Sequence, residues 1–174
     1  GDDLVGQTIA MVSYGAATLV LGVGGPMRTN VYVTVLEPGA TWSASAQTSA
    51  ALSTKAPIVQ LVAYRDETPR VLIRTITSLL YGTIVHDDGF RIRLHARVHT
   101  GTHLPTRQVD ARPVPGAMHR AYAVDTHGTV REWDTATRRL TELASFEPVP
   151  EDRWWMLAPR EPHTLFATSC YDIY

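Results

Sequence analysis

Three histidines at a spacing of four, His95, His99 and His103, are the residues most able to do chemistry in this chain of 174. On a helix that spacing would gather the imidazoles on one face within reach of one metal ion. Their surroundings argue otherwise. Phe90, Ile92, Leu94, Ala96 and Val98 alternate with Arg91, Arg93, His95, Arg97 and His99, the period-2 pattern of a strand with one apolar and one cationic face. On a strand, residues four apart lie ~13 Å from each other, too far for two direct ligands of one ion. A metal site would need one of these imidazoles to meet a distant group such as His119 or Asp110, so no metal or other cofactor is expected. What the pattern offers instead is an open face with three guanidiniums. Neighbours along that stripe are ~7 Å apart, comparable to phosphates along a nucleic-acid strand. No Phe, Tyr or Trp interleaves with them to stack on bases, so pairing with carboxylates is the expected use and nucleic acid the less expected one.

Charge is distributed to match. The formal net charge is -1, yet residues 68–120 carry 8 Arg against 3 Asp, and residues 121–174 carry 5 Arg against 9 acids. A basic middle followed by an acidic last third suits either internal neutralisation or association between surfaces of opposite sign. All basic residues except Lys55 are Arg, the side chain that binds carboxylates through two parallel bonds. Other groups with a claim on a partner are Arg107 and Arg112, in a proline-bearing stretch, and the adjacent Trp154 and Trp155, of which a strand must turn one outward.

The elements that must hold these residues read as short strands. Thr8–Val12, Ala17–Val23, Asn30–Leu36, Pro57–Arg65, Val71–Thr77 and Leu79–Val85 precede the 90–99 strand. Ala121–Asp125, Thr129–Trp133, Arg139–Phe146, Trp154–Ala158 and Thr164–Tyr171 follow it. Asp87-Asp88-Gly89 is a hairpin turn leading into the cationic strand. Residues 41–56, rich in Ala, Ser and Thr, read as a surface loop or a short helix over Ser45–Leu52, and 105–120, with Pro105, Pro113 and Pro115, as a surface loop; proline bars the second from being an internal strand. No segment has the spacing of a long amphipathic helix. The expectation is one all-β domain over 1–174: an antiparallel β-sandwich, jelly-roll-like, of about ten to twelve short strands with little helix.

Chemistry elsewhere is sparse. Gly22-x-Gly24-Gly25 follows a strand but meets Pro26 and another β-branched run, where a nucleotide-binding loop needs a helix. No Gly-x-Ser-x-Gly elbow frames any hydroxyl. Leu4 to Met27 lacks charge, but its glycines and proline favour a buried hairpin over a membrane span. A single cysteine, Cys170, excludes an internal disulfide framework. With no leader-type segment ahead of the first strand, a soluble, intracellular or virion-associated protein is expected.

Two short runs resemble known families. Arg93–Pro105 is similar to the strand-and-turn opening of cupin barrels, and Val35–Ala40 has a related look. That resemblance implies a small-ligand or metal-binding barrel enzyme whose His-x-His pair follows the opening, where this chain has Arg107 and Gln108. His127–Asp134 resembles one blade edge of a WD-repeat propeller; occurring once, it reads as an ordinary hairpin. The function expected is non-enzymatic: a protein–protein contact or structural module, self-assembling in the manner of a virion component or binding another protein. Its contact residues would be Arg91, Arg93, Arg97, Arg107, Arg112, Trp154 and Trp155. The cupin-like enzyme and a nucleic-acid binder using Arg91, Arg93 and Arg97 are the alternatives.

Overall fold

A computed structural model describes residues 8–39, 41, 43–99, 108–117, 119–125, 127–146, 154–161 and 164–170, with backbone alone at 43, 108–109, 154–156, 161 and 164–170. These residues form fifteen strands and one 3-10 turn, Pro26–Arg28, with no α-helix. The all-β, antiparallel reading is therefore correct, and each of the twelve expected strands has a counterpart. Among the described residues no helix is long and apolar enough to cross a membrane. Where one domain was expected, the chain resolves into two compact units, residues 1–76 with 80–95, and 77–79 with 96–174.

The first unit holds two sheets. One contains β1 (Ile9–Tyr14), β2 (Ala17–Gly24), β3 (Asn30–Glu37) and β4 (Ser43–Ala46) in chain order, with β5 (Leu52–Ser53) also paired to β3. The other runs β6 (Ile58–Arg65), β7 (Pro69–Thr75), β8 (Ser78–His86) and β9 (Phe90–His99), of which residues 78–79 and 96–99 are counted with the second unit. Alternation decides what is buried. Leu19 and Leu21 of β2, and Val31 and Val33 of β3, are inaccessible to solvent, as are Ile58, Leu61, Val71 and Ile73 of the second sheet. All eight belong to one apolar cluster that also takes in Leu80, Ile84, Phe90 and Ile92. Two sheets thus share one core, each inward residue contributing about 1.5–3 kcal/mol by leaving water.

The second unit contains β10 (Gln108–Pro113), β11 (Arg120–Asp125), β12 (Thr129–Asp134) and β13 (Arg139–Ser145) in chain order, and a separate hairpin of β14 (Trp154–Glu161) and β15 (Thr164–Cys170). Its core gathers Val114, Tyr122, Val124, Val130 and Leu157, and Trp133 is wholly buried. The Asp110 carboxylate accepts from the Leu157 backbone N–H at 2.8 Å, tying β10 to β14.

Three expectations change. Residues 41–56 are not simply loop, because β4 and β5 both pair with β3. Residues 105–120 contain β10, which lies at the end of its sheet and stops at Pro113; the proline rule excluded an interior strand, not an outer one. The sheets are meanders of sequence neighbours, and the crossings of a jelly roll are not confirmed. Three of these meanders follow four strands in chain order, the up-and-down arrangement also found within one propeller blade. The WD-like run supplies β12 and the turn before it in one of them.

The β8–β9 turn depends on Gly89, at φ +108° and with the Gln47 side-chain oxygen 3.2 Å from where a Cβ would stand. Gly89→Ala should therefore lower stability by ~1–3 kcal/mol, read as a lower denaturant midpoint; an unchanged midpoint would show that the turn tolerates a side chain.

Candidate functional site: the cationic face of strand β9

Strand β9 spans the ten residues expected of it, fully extended. Its first residues are held from the side. The Gln47 amide accepts from the Phe90 N–H at 2.6 Å and donates to the Phe90 carbonyl at 3.0 Å. Ile92 N–H donates to the Ala51 carbonyl at 2.9 Å. The segment after β4 thereby covers an edge that would otherwise be open for pairing. Phe90, Ile92 and Ala96 are buried, while Arg91, Arg93, His95, Arg97 and His99 are exposed. The apolar side is less complete than alternation suggests, since Leu94 is 40 % exposed.

Neighbouring strands furnish hydroxyls rather than carboxylates. His95 Nε2 lies 2.7 Å from Thr83 Oγ1 of β8. Arg70 of β7 donates to the Tyr81 hydroxyl and its guanidinium stands 5.7 Å from the Tyr81 ring centre, a cation–π arrangement. Its nearest carboxylate, Asp66, is 3.8 Å away. Tyr64, beside Tyr81, is held protonated well above the usual tyrosine range, first by burial and then by Tyr81. In the second unit, Ser78 Oγ lies 3.2 Å from His99 Nδ1 and accepts from Arg97 Nε at 3.3 Å. Arg91 and Arg93 make no ion pair among the described residues.

Cation density has a measurable consequence. Burial, then the Arg70 and Arg93 charges, push the His95 imidazole below its ordinary value of 6.5. The folded chain then binds fewer protons at this site than the unfolded one, so the stability it contributes is present above pH 6.5 and is lost as pH falls through the lowered folded value. A proton NMR titration should place His95 below 6.5, and Arg93→Gln should raise it; a midpoint unmoved by that substitution would show that Arg93 does not act on the ring.

The other candidates fare unevenly. Arg112 Nε lies 3.2 Å from Asp110 Oδ1, so its charge is answered inside β10. His119 is exposed on the turn before β11, its carbonyl accepting from the Thr135 N–H and hydroxyl. Arg107 and His103 lie outside the described residues, as do the side chains of Trp154 and Trp155, whose backbone begins β14. The cupin-like run is divided between β9 and residues outside the described set. No group of three His, Cys, Asp or Glu among the described residues is placed to hold a metal ion.

Sequence reasoning missed a cleft of about 520 Å³ in the first unit, lined by Tyr14, Ala16, Ala17, Val35, Glu37, Pro38, His86 and Phe90. Its residues come from three separate turns, so no linear spacing announces it. Phe90 meets Tyr14 edge-on at 5.5 Å between ring centres and His86 at 4.5 Å.

No family model matches this chain, and no curated protein does. Among solved structures, apo AztD from Citrobacter koseri is similar over 84% of this chain, with a TM-score of 0.47 and 12% identity, and the chain spans 39% of that protein's length.

Proposed function

We propose that this chain is a non-catalytic all-β interaction module that engages an acidic protein surface through the exposed face of β9. The observation that carries this reading is the pair Arg91 and Arg93: exposed, two residues apart on one face of a braced strand, and without a carboxylate partner among the described residues. An Arg fork is suited to a carboxylate held in two parallel bonds. Polymeric phosphate is less well served, because Tyr81, the ring 5.9 Å from that of His95, is only 4 % exposed and offers no face for base stacking.

A second copy of the chain is one form such a partner takes, and assembly of virion type would be its extended case. Described acids of the last third are mostly engaged at home, Asp125 with Arg131 at 2.6 Å and Glu132 with Arg120 at 3.7 Å, so the described acids a second copy would offer are exposed ones such as Asp87 and Asp88. The test is fluorescence anisotropy with a labelled glutamate-rich peptide and a single-stranded oligonucleotide of equal charge. The peptide should bind, weaken as salt rises, and weaken further with Arg91→Gln plus Arg93→Gln. Tighter binding of the oligonucleotide would favour nucleic-acid binding, and peptide binding indifferent to both substitutions would remove β9 from the contact. Sedimentation at low salt, with mass rising with concentration, would identify a second copy as the partner.

A further inference from the structure

The cleft beside Phe90 has a chemical character unlike that of the arginine strip. Gln47 fixes Phe90 by both its backbone N–H and its carbonyl, so the buried Phe90 ring, 7 % exposed, is a firm backing for the rings packed on it. Tyr14, 37 % exposed at the end of β1, stands against it with ring planes 83° apart, so the Tyr14 ring is held upright at the cleft. His86 adds a third ring, tilted 43° from Phe90. Pro38 and Val35 complete an apolar lining. The one carboxylate among the lining residues is Glu37, exposed and with no ion pair among the described residues. Asp87 and Asp88, both exposed, follow His86 directly.

Negative charge at the rim disfavours an anion, and rings offer little to a bare metal ion. Aromatic faces with a carboxylate nearby suit a cation whose own surface is apolar, since the ring quadrupole attracts positive charge that carries few tightly held waters. The volume, about 520 Å³, is that of a small-molecule pocket.

The geometry points to a binding site for a small organic cation of the quaternary or methylated ammonium class, with the exposed Tyr14 ring as its wall, buried Phe90 as the backing that holds it, and Glu37 as counter-charge. This site is separate from the proposed protein contact, because Phe90 lies on the opposite face of β9 from Arg91 and Arg93, and either can fail without the other.

The test is calorimetric titration of the full chain with choline, and with the uncharged isostere in which carbon replaces the nitrogen. Choline should bind saturably at millimolar concentration, with the isostere about tenfold weaker. Glu37→Gln, an exposed change with no side-chain partner among the described residues to disturb, and Tyr14→Leu, which keeps apolar bulk but removes the ring, should each weaken choline by a similar factor. Equal binding of the two probes would make the cleft merely apolar and overturn the inference. So would an unchanged choline affinity in Glu37→Gln, or the absence of saturable binding to the parent chain.

Discussion

Replacing Asp125 with alanine is expected to destabilise the second unit by about 3–5 kcal/mol. Asp125 is completely buried at the end of β11, and one carboxylate serves three donors. Its Oδ1 accepts from the backbone N–H groups of His127 at 2.9 Å and Thr129 at 3.0 Å, and its Oδ2 from Arg131 at 2.6 Å. The first two bonds shape the turn into β12, the use to which Asp is commonly put beside a turn. The third neutralises a guanidinium whose side chain is only 14% exposed and whose other acid, Glu142, is 3.9 Å away. Alanine would leave two N–H groups and a largely buried cation without their acceptor, which costs far more than losing a solvent-exposed pair. Asparagine keeps the shape and one acceptor oxygen but not the charge, so it should cost less, about 1–3 kcal/mol. Urea unfolding followed by tryptophan fluorescence separates the two. Equal midpoints for the alanine and asparagine variants would mean that the turn bonds add nothing.

The second large effect concerns binding. Arg91→Glu with Arg93→Glu should weaken capture of an acidic partner at low salt by roughly 10- to 100-fold, the lost attraction and new repulsion together costing about 0.7–1.4 kcal/mol per reversal. Much of the loss should fall in the association rate, because exposed charges act mainly by steering the encounter. It should shrink as the Debye length contracts from ~10 Å at 0.1 M to ~3 Å at 1 M salt. Both side chains are exposed and without a described acid partner, so stability should hardly change. A variant that unfolds more readily while binding as before would reassign these arginines to a structural role.

What could be read from the sequence followed from how directly burial dictates residue type. The bounds of β9 were legible because ten residues alternate without interruption. The same pattern reports which face a side chain takes but not how completely that face is covered, which is why Leu94 remains partly exposed. Strands β4 and β5 were hidden because Ser, Ala and Thr carry no apolar alternation; their pairing with β3 is decided by that strand. β10 was hidden by Pro113, which is compatible with the last position of an outer strand.

Chemistry was harder to read than architecture. The aromatic cleft draws Tyr14, Glu37, His86 and Phe90 from the ends of β1, β3, β8 and β9, and only folding makes them neighbours. Arg112 was read from sequence as a contact residue like Arg91, yet Asp110 two residues away answers its charge, while no described acid answers that of Arg91. The four-strand meander recurs in topology without recurring in residues, since a pleated sheet requires alternation and turns rather than a fixed motif.

The most direct measurement of the role assigned to β9 is a charge swap. The Arg91→Glu, Arg93→Glu chain should lose the glutamate-rich peptide and gain a lysine-rich one of equal length, with both interactions fading as salt is raised. If the reversed chain still prefers the acidic peptide, the partner does not dock on this face.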